Sequence, residues 1–276
     1  MRFPFSRLLL ATERTEFDAG AERLALALAR RGGVPLAAVM PLASNAEFEA
    51  VAPALAARAD REAHARLERL LAQASDAGVA LEVGVRHGED LCAEIVDDAR
   101  ERHADLIVIR RRGRRSFLAS LMVGEMVGKV IAHAPCSVLV VPRDAPLWQR
   151  RVLAAVEPDA LGRRVAALAT AVAAEAGVGV TALCVQSDDG GRADVETLLE
   201  GFGRQAAAAG VAHSAQRVGG APAAQILDAA RREGADLIVM GARSLAHAGR
   251  ARLGRVAHDV TGRYDGAVLL LSEGAA

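Results

Sequence analysis

Arginine and glycine gather at two places in this chain where apolar runs end. Arg110-Arg111-Arg112-Gly113-Arg114-Arg115 holds five arginines in six residues, directly after the apolar run 105–109. Gly241-Ala242-Arg243-Ser244 follows a second such run; nine residues later comes Gly254-Arg255, where a helix is expected to open. Glycines let backbone N–H groups approach an anion closely, and a helix N-terminus favours negative charge. Arginine adds charge-assisted, two-pronged hydrogen bonds. Glu13 and Glu157 end two other apolar runs and bring carboxylates to the same region. These types suit anion or nucleotide binding. They do not suit nucleophilic or metal chemistry. The seven histidines form no ligand pair at helical or hairpin spacing, and the three cysteines (Cys92, Cys136, Cys184) read as small core residues. No Gly-x-Ser-x-Gly elbow occurs. Gly124-Glu125-Met126-Val127-Gly128-Lys129 ends in Val130, so it is a false Walker match. No catalytic constellation and no metal site is read.

The elements that must position these residues are written twice. Ala104-Asp105-Leu106-Ile107-Val108-Ile109 returns 131 residues later as Ala235-Asp236-Leu237-Ile238-Val239-Met240. Gly88 then falls on Gly219, Ile95 on Ile226 and Arg110 on Gly241. The run Leu8–Glu13 matches Val152–Glu157 at a spacing of 144. An internal repeat of this length fixes domain number and architecture together. Strands are expected at 7–11, 34–40, 79–85, 105–109 and 137–141, then at 151–156, 178–185, 211–218, 236–240 and 267–271. Helices such as 18–31 and 53–77 fall between them; Leu67, Leu70, Leu71 and Ala74 mark one face of the latter. Near-continuous Val, Ile and Leu in the strands implies sheets covered on both faces. The fold class is therefore α/β: two Rossmann-like domains, each a five-stranded parallel sheet with helices on both faces. Domain 1 is read over 1–142, a linker with two prolines and Trp148 over 143–150, and domain 2 over 151–276. Trp148 is expected to act as a hydrophobic peg.

Composition narrows the partners. Thirty-four basic residues balance 34 acidic ones and aromatics are 3% of the chain, so neither a broad basic face nor stacking platforms for nucleic acid are expected. No segment approaches the roughly 20 apolar residues that span a bilayer. The start, Met1-Arg2-Phe3-Pro4-Phe5, lacks a signal-peptide run, so a cytoplasmic protein without membrane contact is expected.

With its two copies, the "aDLIVmG" strand 236–241 and the closing Ala134–Val141 run, the chain resembles the universal stress protein family in its tandem two-domain form. The resemblance covers essentially the whole chain. It implies adenine-nucleotide alpha-hydrolase-like domains, with final strands 137–141 and 267–271 pairing so that one chain forms a pseudo-dimer, with or without a further homodimer. In the nucleotide-binding branch, Gly-x2-Gly-x9-Gly-Ser/Thr after the fourth strand holds ATP phosphates, and an Asp after the first strand contacts the nucleoside. Domain 2 carries Gly241, Ser244, Gly254 and Arg255 at those positions, with Glu157 for the Asp. Arg255 could clash with a phosphate or bond to one. In domain 1, Arg110, Gly113 and Gly124 stand at the glycine positions with a loop one residue too long, Glu125 replaces the hydroxyl and Glu13 replaces the Asp. A carboxylate about 4 Å from a phosphate costs on the order of 4 kcal/mol at an effective dielectric of about 20. Two candidate sites follow. One, in domain 2, comprises Glu157, Gly241, Arg243, Ser244, Gly254 and Arg255, for a nucleotide or another anion. The other is degenerate or takes a different anion: Glu13, Arg110, Arg111, Arg112, Gly113 and Gly124. The alternative for the arginine run is a solvated loop paired with Glu94, Asp97, Asp98 and Glu101. The resemblance implies a non-enzymatic stress role through ligand sensing or protein partners, with no required cofactor and ATP as the alternative ligand.

Overall fold

The computed structural model describes residues 3–13, 15–111, 126–186, 192–247 and 250–272. The chain divides into two compact units, one from Phe5 to Asp144 and one that begins at Ala145. In the first, β1 (Leu8–Ala11) leads through a 3-10 turn (Glu16–Asp18) into α1 (Ala19–Gly32). Then come β2 (Leu36–Ala43), α2 (Ala46–Val51), α3 (Pro53–Asp76), β3 (Leu81–Gly88), α4 (Leu91–Glu101) and β4 (Leu106–Arg110). A helix α5 over 126–133 and β5 (Ser137–Val141) complete the unit. Its strands lie in the order β3-β2-β1-β4-β5, all parallel.

The second unit repeats this plan with β6 (Arg151–Val156), α6 (Ala160–Ala176), β7 (Gly179–Gln186), α7 (Arg192–Ala208), β8 (His213–Gly219), α8 (Pro222–Glu233) and β9 (Leu237–Ala242). Its parallel order is β12-β9-β6-β7-β8, with β12 at Ala267–Ser272 preceded by α9 (Arg255–Arg263). The strand order reverses between β1 and β4 and between β6 and β9, and ligands in such sheets bind beyond the carboxyl ends of the strands at that reversal.

The central strands are buried on both faces: Leu106, Ile107 and Val108 are fully enclosed, as are Leu237, Ile238 and Val239. The edge strands differ from the expected continuous apolar pattern. β3 and β8 are only partly buried, and along β8 exposed and half-covered residues alternate. An edge strand has one neighbour and incomplete helical cover, so Glu82, Arg86, Gln216 and Arg217 fit there.

The aspartates of the echoed phrase have a structural task. Asp236 accepts hydrogen bonds from the backbone N–H groups of Gln149 (2.7 Å), Arg150 (3.0 Å) and Arg151 (3.2 Å), and so clamps the start of β6. Asp105 does the same for β1 through Ser6 N–H at 2.7 Å and Arg7 N–H at 3.0 Å. Trp148, beside the second clamp, is buried as a peg.

One segment departs from expectation. The nine residues read as a loop between Ser244 and Gly254 contain an antiparallel hairpin, β10 (Ser244–His247) paired with β11 (Arg250–Leu253). Among the described residues, no helix is long and apolar enough to cross a membrane.

Candidate functional site

In domain 2 an opening lies beside this reversal. A cleft of about 380 Å³ lies beyond the ends of β6 and β7. Its walls come from Val156, Leu183 and Val185 on the strands, Ile226 on α8 and Val256 on α9, with Glu157 and Gln186 supplying polar groups. The volume falls within the range of small-molecule sites, roughly 300–1,000 Å³. In domain 1 the equivalent space is about 10 Å³. The linings overlap, with Ala11 for Ala155, Thr12 for Val156, Glu13 for Glu157, Pro41 for Val185 and Ile95 for Ile226, but the first also takes in Ile109 and Arg110 of β4, whereas no β9 residue lines the second. Corresponding positions thus border a nearly filled space in one domain and an open cleft in the other.

Arg110 closes the first. Its side chain is buried and donates from Nη2 to Glu13 Oε2 at 2.8 Å and from Nη1 to Thr15 Oγ1 at 2.7 Å. Nε lies 3.3 Å from Asp18 Oδ1, and Asp18 is itself 1% exposed. Thr15 N–H and hydroxyl donate back to Asp18 Oδ2, which makes the cage continuous. The sequence alternative paired the arginine run with α4. For Arg110 the partners are instead Glu13 and Asp18, because β4 lies against β1 in the sheet. The α4 carboxylates Asp98 and Glu101 are engaged elsewhere, Asp98 by Arg86 and Arg102 and Glu101 by Arg86. Arg111 donates its backbone N–H to Val141 at 2.7 Å. Arg112, Gly113, Gly124 and Glu125 lie outside the described residues.

In domain 2, Gly241 replaces Arg110, and Leu161 takes up the room beside it. A Cβ on Gly241 would stand 2.7 Å from Leu161 Cδ2, so that side of β9 is already packed. An arginine still reaches the carboxylate, from two residues further along. Arg243 Nη2 donates to Glu157 Oε2 at 2.6 Å and also to Asp159. Its side chain is 44% exposed, against 7% for Arg110. One arginine is a buried bolt; the other lies across the surface near the cleft mouth.

The remaining predicted residues are dispersed. Gly254 caps the start of α9, but its N–H donates to the Arg243 carbonyl at 3.0 Å. Ser244 opens β10 of the hairpin. The Arg255 side chain is 93% exposed, and its Nε lies 3.8 Å from Asp259, one turn along the same helix. Sequence reasoning missed Asp159, Thr15 and Asp18. Asp159 carried a readable signal: it caps α6, accepting from Gly162 N–H at 2.7 Å, and an Asp three residues before a glycine in an Ala-rich helix has that profile.

No nucleophile presents itself among the described cysteines. Burial pushes the Cys92 thiol up to about 11 and Cys136 to about 12. Burial, and then the Glu157 carboxylate, also raise Cys184 on β7. Among the described residues no group of three or more His, Cys, Asp or Glu is placed to hold a metal ion.

Comparison with known proteins agrees with the architecture. The model of the universal stress protein family matches residues 4–142 and again 149–272. A universal stress protein of Synechocystis sp. is 40% identical over 80 residues, 29% of this chain and 51% of the relative. The match thus spans about half the length of that curated relative. A universal stress protein structure from Archaeoglobus fulgidus superposes with a TM-score of 0.79 at 18% identity, covering 96% of both chains. A Pseudomonas aeruginosa protein of unknown function gives a TM-score of 0.69 at 18% identity over 98% of this chain and 94% of its own.

Proposed function

The chain belongs to the universal stress protein family in tandem form, and on that premise we propose that it is a non-enzymatic stress-response protein that works by holding a small ligand in domain 2. The observation that carries this is the contrast between a cleft of about 380 Å³ in domain 2 and one of about 10 Å³ at the equivalent place in domain 1. The open cleft is mostly apolar with a few convergent polar groups, the ordinary make-up of a small-molecule site. The raised thiols of Cys92, Cys136 and Cys184 support a binding role over a nucleophilic one.

The phosphate-holding groups are committed elsewhere, which supports a ligand other than a nucleotide. The Gly254 N–H is bonded to the Arg243 carbonyl, and the Arg243 guanidinium to Glu157 and Asp159. Two carboxylates against one arginine leave the cluster net negative, which disfavours a polyphosphate. The second reading, a nucleotide sensor or slow ATP hydrolase in domain 2, is favoured by the cleft's position between β6, β7 and the first turn of α9.

A calorimetric titration with ATP, ADP, AMP and adenosine, with and without Mg²⁺ and with Trp148 fluorescence followed in parallel, separates them. No heat is expected from the three nucleotides up to millimolar concentration. A thermal-shift screen of apolar metabolites should yield a ligand that stabilises the wild type but not Val256→Trp, which fills the cleft. Saturable ATP binding at one site per chain, lost in Arg255→Glu, would install the nucleotide reading instead. A screen in which nothing stabilises the wild type would sink both.

A further inference from the structure

Domain 2 carries a second opening, which adjoins the strand-end cleft at Pro158 and runs on between two helices. Between α6 and α7 is a groove of about 300 Å³. Its floor is Ala166, Leu198 and Phe202, each at most 6% exposed. The Phe202 ring is held from behind by an edge-on contact with His213 at 6.0 Å. Exposed Arg163 stands on the α6 wall, exposed Asp194 on the α7 wall, and Gln205 at the far end of the same α7 face.

The repeat shows why the groove is open here. Gly78 and Gly210 each follow α3 and α7 in the left-handed conformation and fix the alignment of those helices. Counting back from them, Leu198 stands where α3 has Arg66, and Gly201 where it has Arg69. On the facing helix Ala166 stands where α1 has Glu22. In domain 1, Arg66 reaches across to the Glu13 carbonyl at 3.3 Å, and the buried Glu22 carboxylate accepts from Thr12 at 2.8 Å. Those side chains occupy the space between the helices. Shorter or apolar residues in domain 2 empty it without loosening the helix pair, since Val165, Ala169, Val195 and Ala206 remain buried.

We propose that this groove is a second binding site, for a small zwitterion with an apolar body about the size of an aromatic amino acid. The volume accommodates one ring and its substituents. The apolar floor takes the body, Arg163 takes a carboxylate through a charge-assisted bond, and Asp194 takes an ammonium group. A ligand with only one charge would leave the opposite wall unmatched. A neutral one would have only the floor.

Calorimetry with L-tryptophan, indole-3-propionate, tryptamine and indole on the full chain tests this. L-tryptophan is expected to bind with a Kd below about 1 mM. Loss of either charge should weaken binding about tenfold, the low end for a charge-assisted hydrogen bond. Gly201→Arg should abolish binding while the protein keeps its Tm, because a Cβ at Gly201 meets nothing within 4 Å and α3 carries arginine at the matching position. Arg163→Glu should weaken L-tryptophan and indole-3-propionate but leave tryptamine unchanged or tighter. Absence of L-tryptophan binding, equal affinity for indole, or undiminished binding in Gly201→Arg would each overturn the proposal. Val256→Trp, which blocks the strand-end cleft, should leave these titrations unchanged.

Discussion

Arg110 and Glu13, ninety-seven residues apart in sequence, meet at 2.8 Å where β4 and β1 end side by side. In domain 2, Arg243 meets Glu157 at 2.6 Å from a position two residues later than the counterpart of Arg110. The ion pair is kept while its origin shifts from a buried strand end to the surface. Gly241 takes the place of Arg110 with Leu161 packed against it, and Arg243 supplies the charge from the surface.

Removing Arg110 should be severe. Arg110→Ala leaves Asp18, 1% exposed, without its cation in a buried cage. Breaking a buried pair from one side costs about 3–5 kcal/mol. Urea denaturation should show a loss of that size, and an Asp18→Asn, Arg110→Met double variant should recover part of it.

The strand clamps should differ in strength. Asp236 holds three backbone N–H groups and is 7% exposed, whereas Asp105 holds two and is more open. Bonds to a charged acceptor contribute about 1.5–3 kcal/mol each where water is excluded. Asp236→Ala is expected to cost about 4–5 kcal/mol, the low end for three such bonds, and Asp105→Ala less because its carboxylate is more exposed, measured by chemical denaturation.

Tyr264 should give the protein an alkaline limit. Its hydroxyl donates to the Ala235 carbonyl at 2.6 Å, and burial, followed by the nearby Asp236 charge, pushes its pKa from 10 up to about 12. The raised value means that the unfolded state releases this proton first. The contribution is therefore intact below pH 10 and is lost between pH 10 and about 12. The loss across that window should reach about 2–3 kcal/mol. Tyr264→Phe should flatten the pH dependence there, and an unchanged slope in the variant would refute the assignment.

Thiol chemistry offers a simple check of burial. With Cys92 at about 11 and Cys136 at about 12, native protein at pH 8 should resist iodoacetamide for hours, and all three thiols should react once urea unfolds it. Rapid single-site labelling of native protein would contradict the packing around them.

Much of the fold was legible because its signals are local. Val, Ile and Leu in the central strands, the Ala-rich amphipathic helices and the echo at 104–109 and 235–240 mark each copy directly. The edge strands misled, because neighbour number does not show in a run of residues. The hairpin hid behind arginine and alanine; its one cue was the alternation of Arg250, Ala251, Arg252 and Leu253. The partners of Arg110 were invisible for another reason. A run of arginines shows charge, but only the neighbouring of β1 and β4 selects Glu13 and Asp18 over the acids of α4.

The paired aspartates at the strand starts have a wider implication. Asp105 and Asp236 anchor one end of each sheet with the same residue bound to the backbone at the start of the first strand, while the strand-end crevices that differ lie at the other end. Foundation and working surface are thus mechanically separate. A duplicated domain built this way can change what it holds, or cease to hold anything, without renegotiating how it folds.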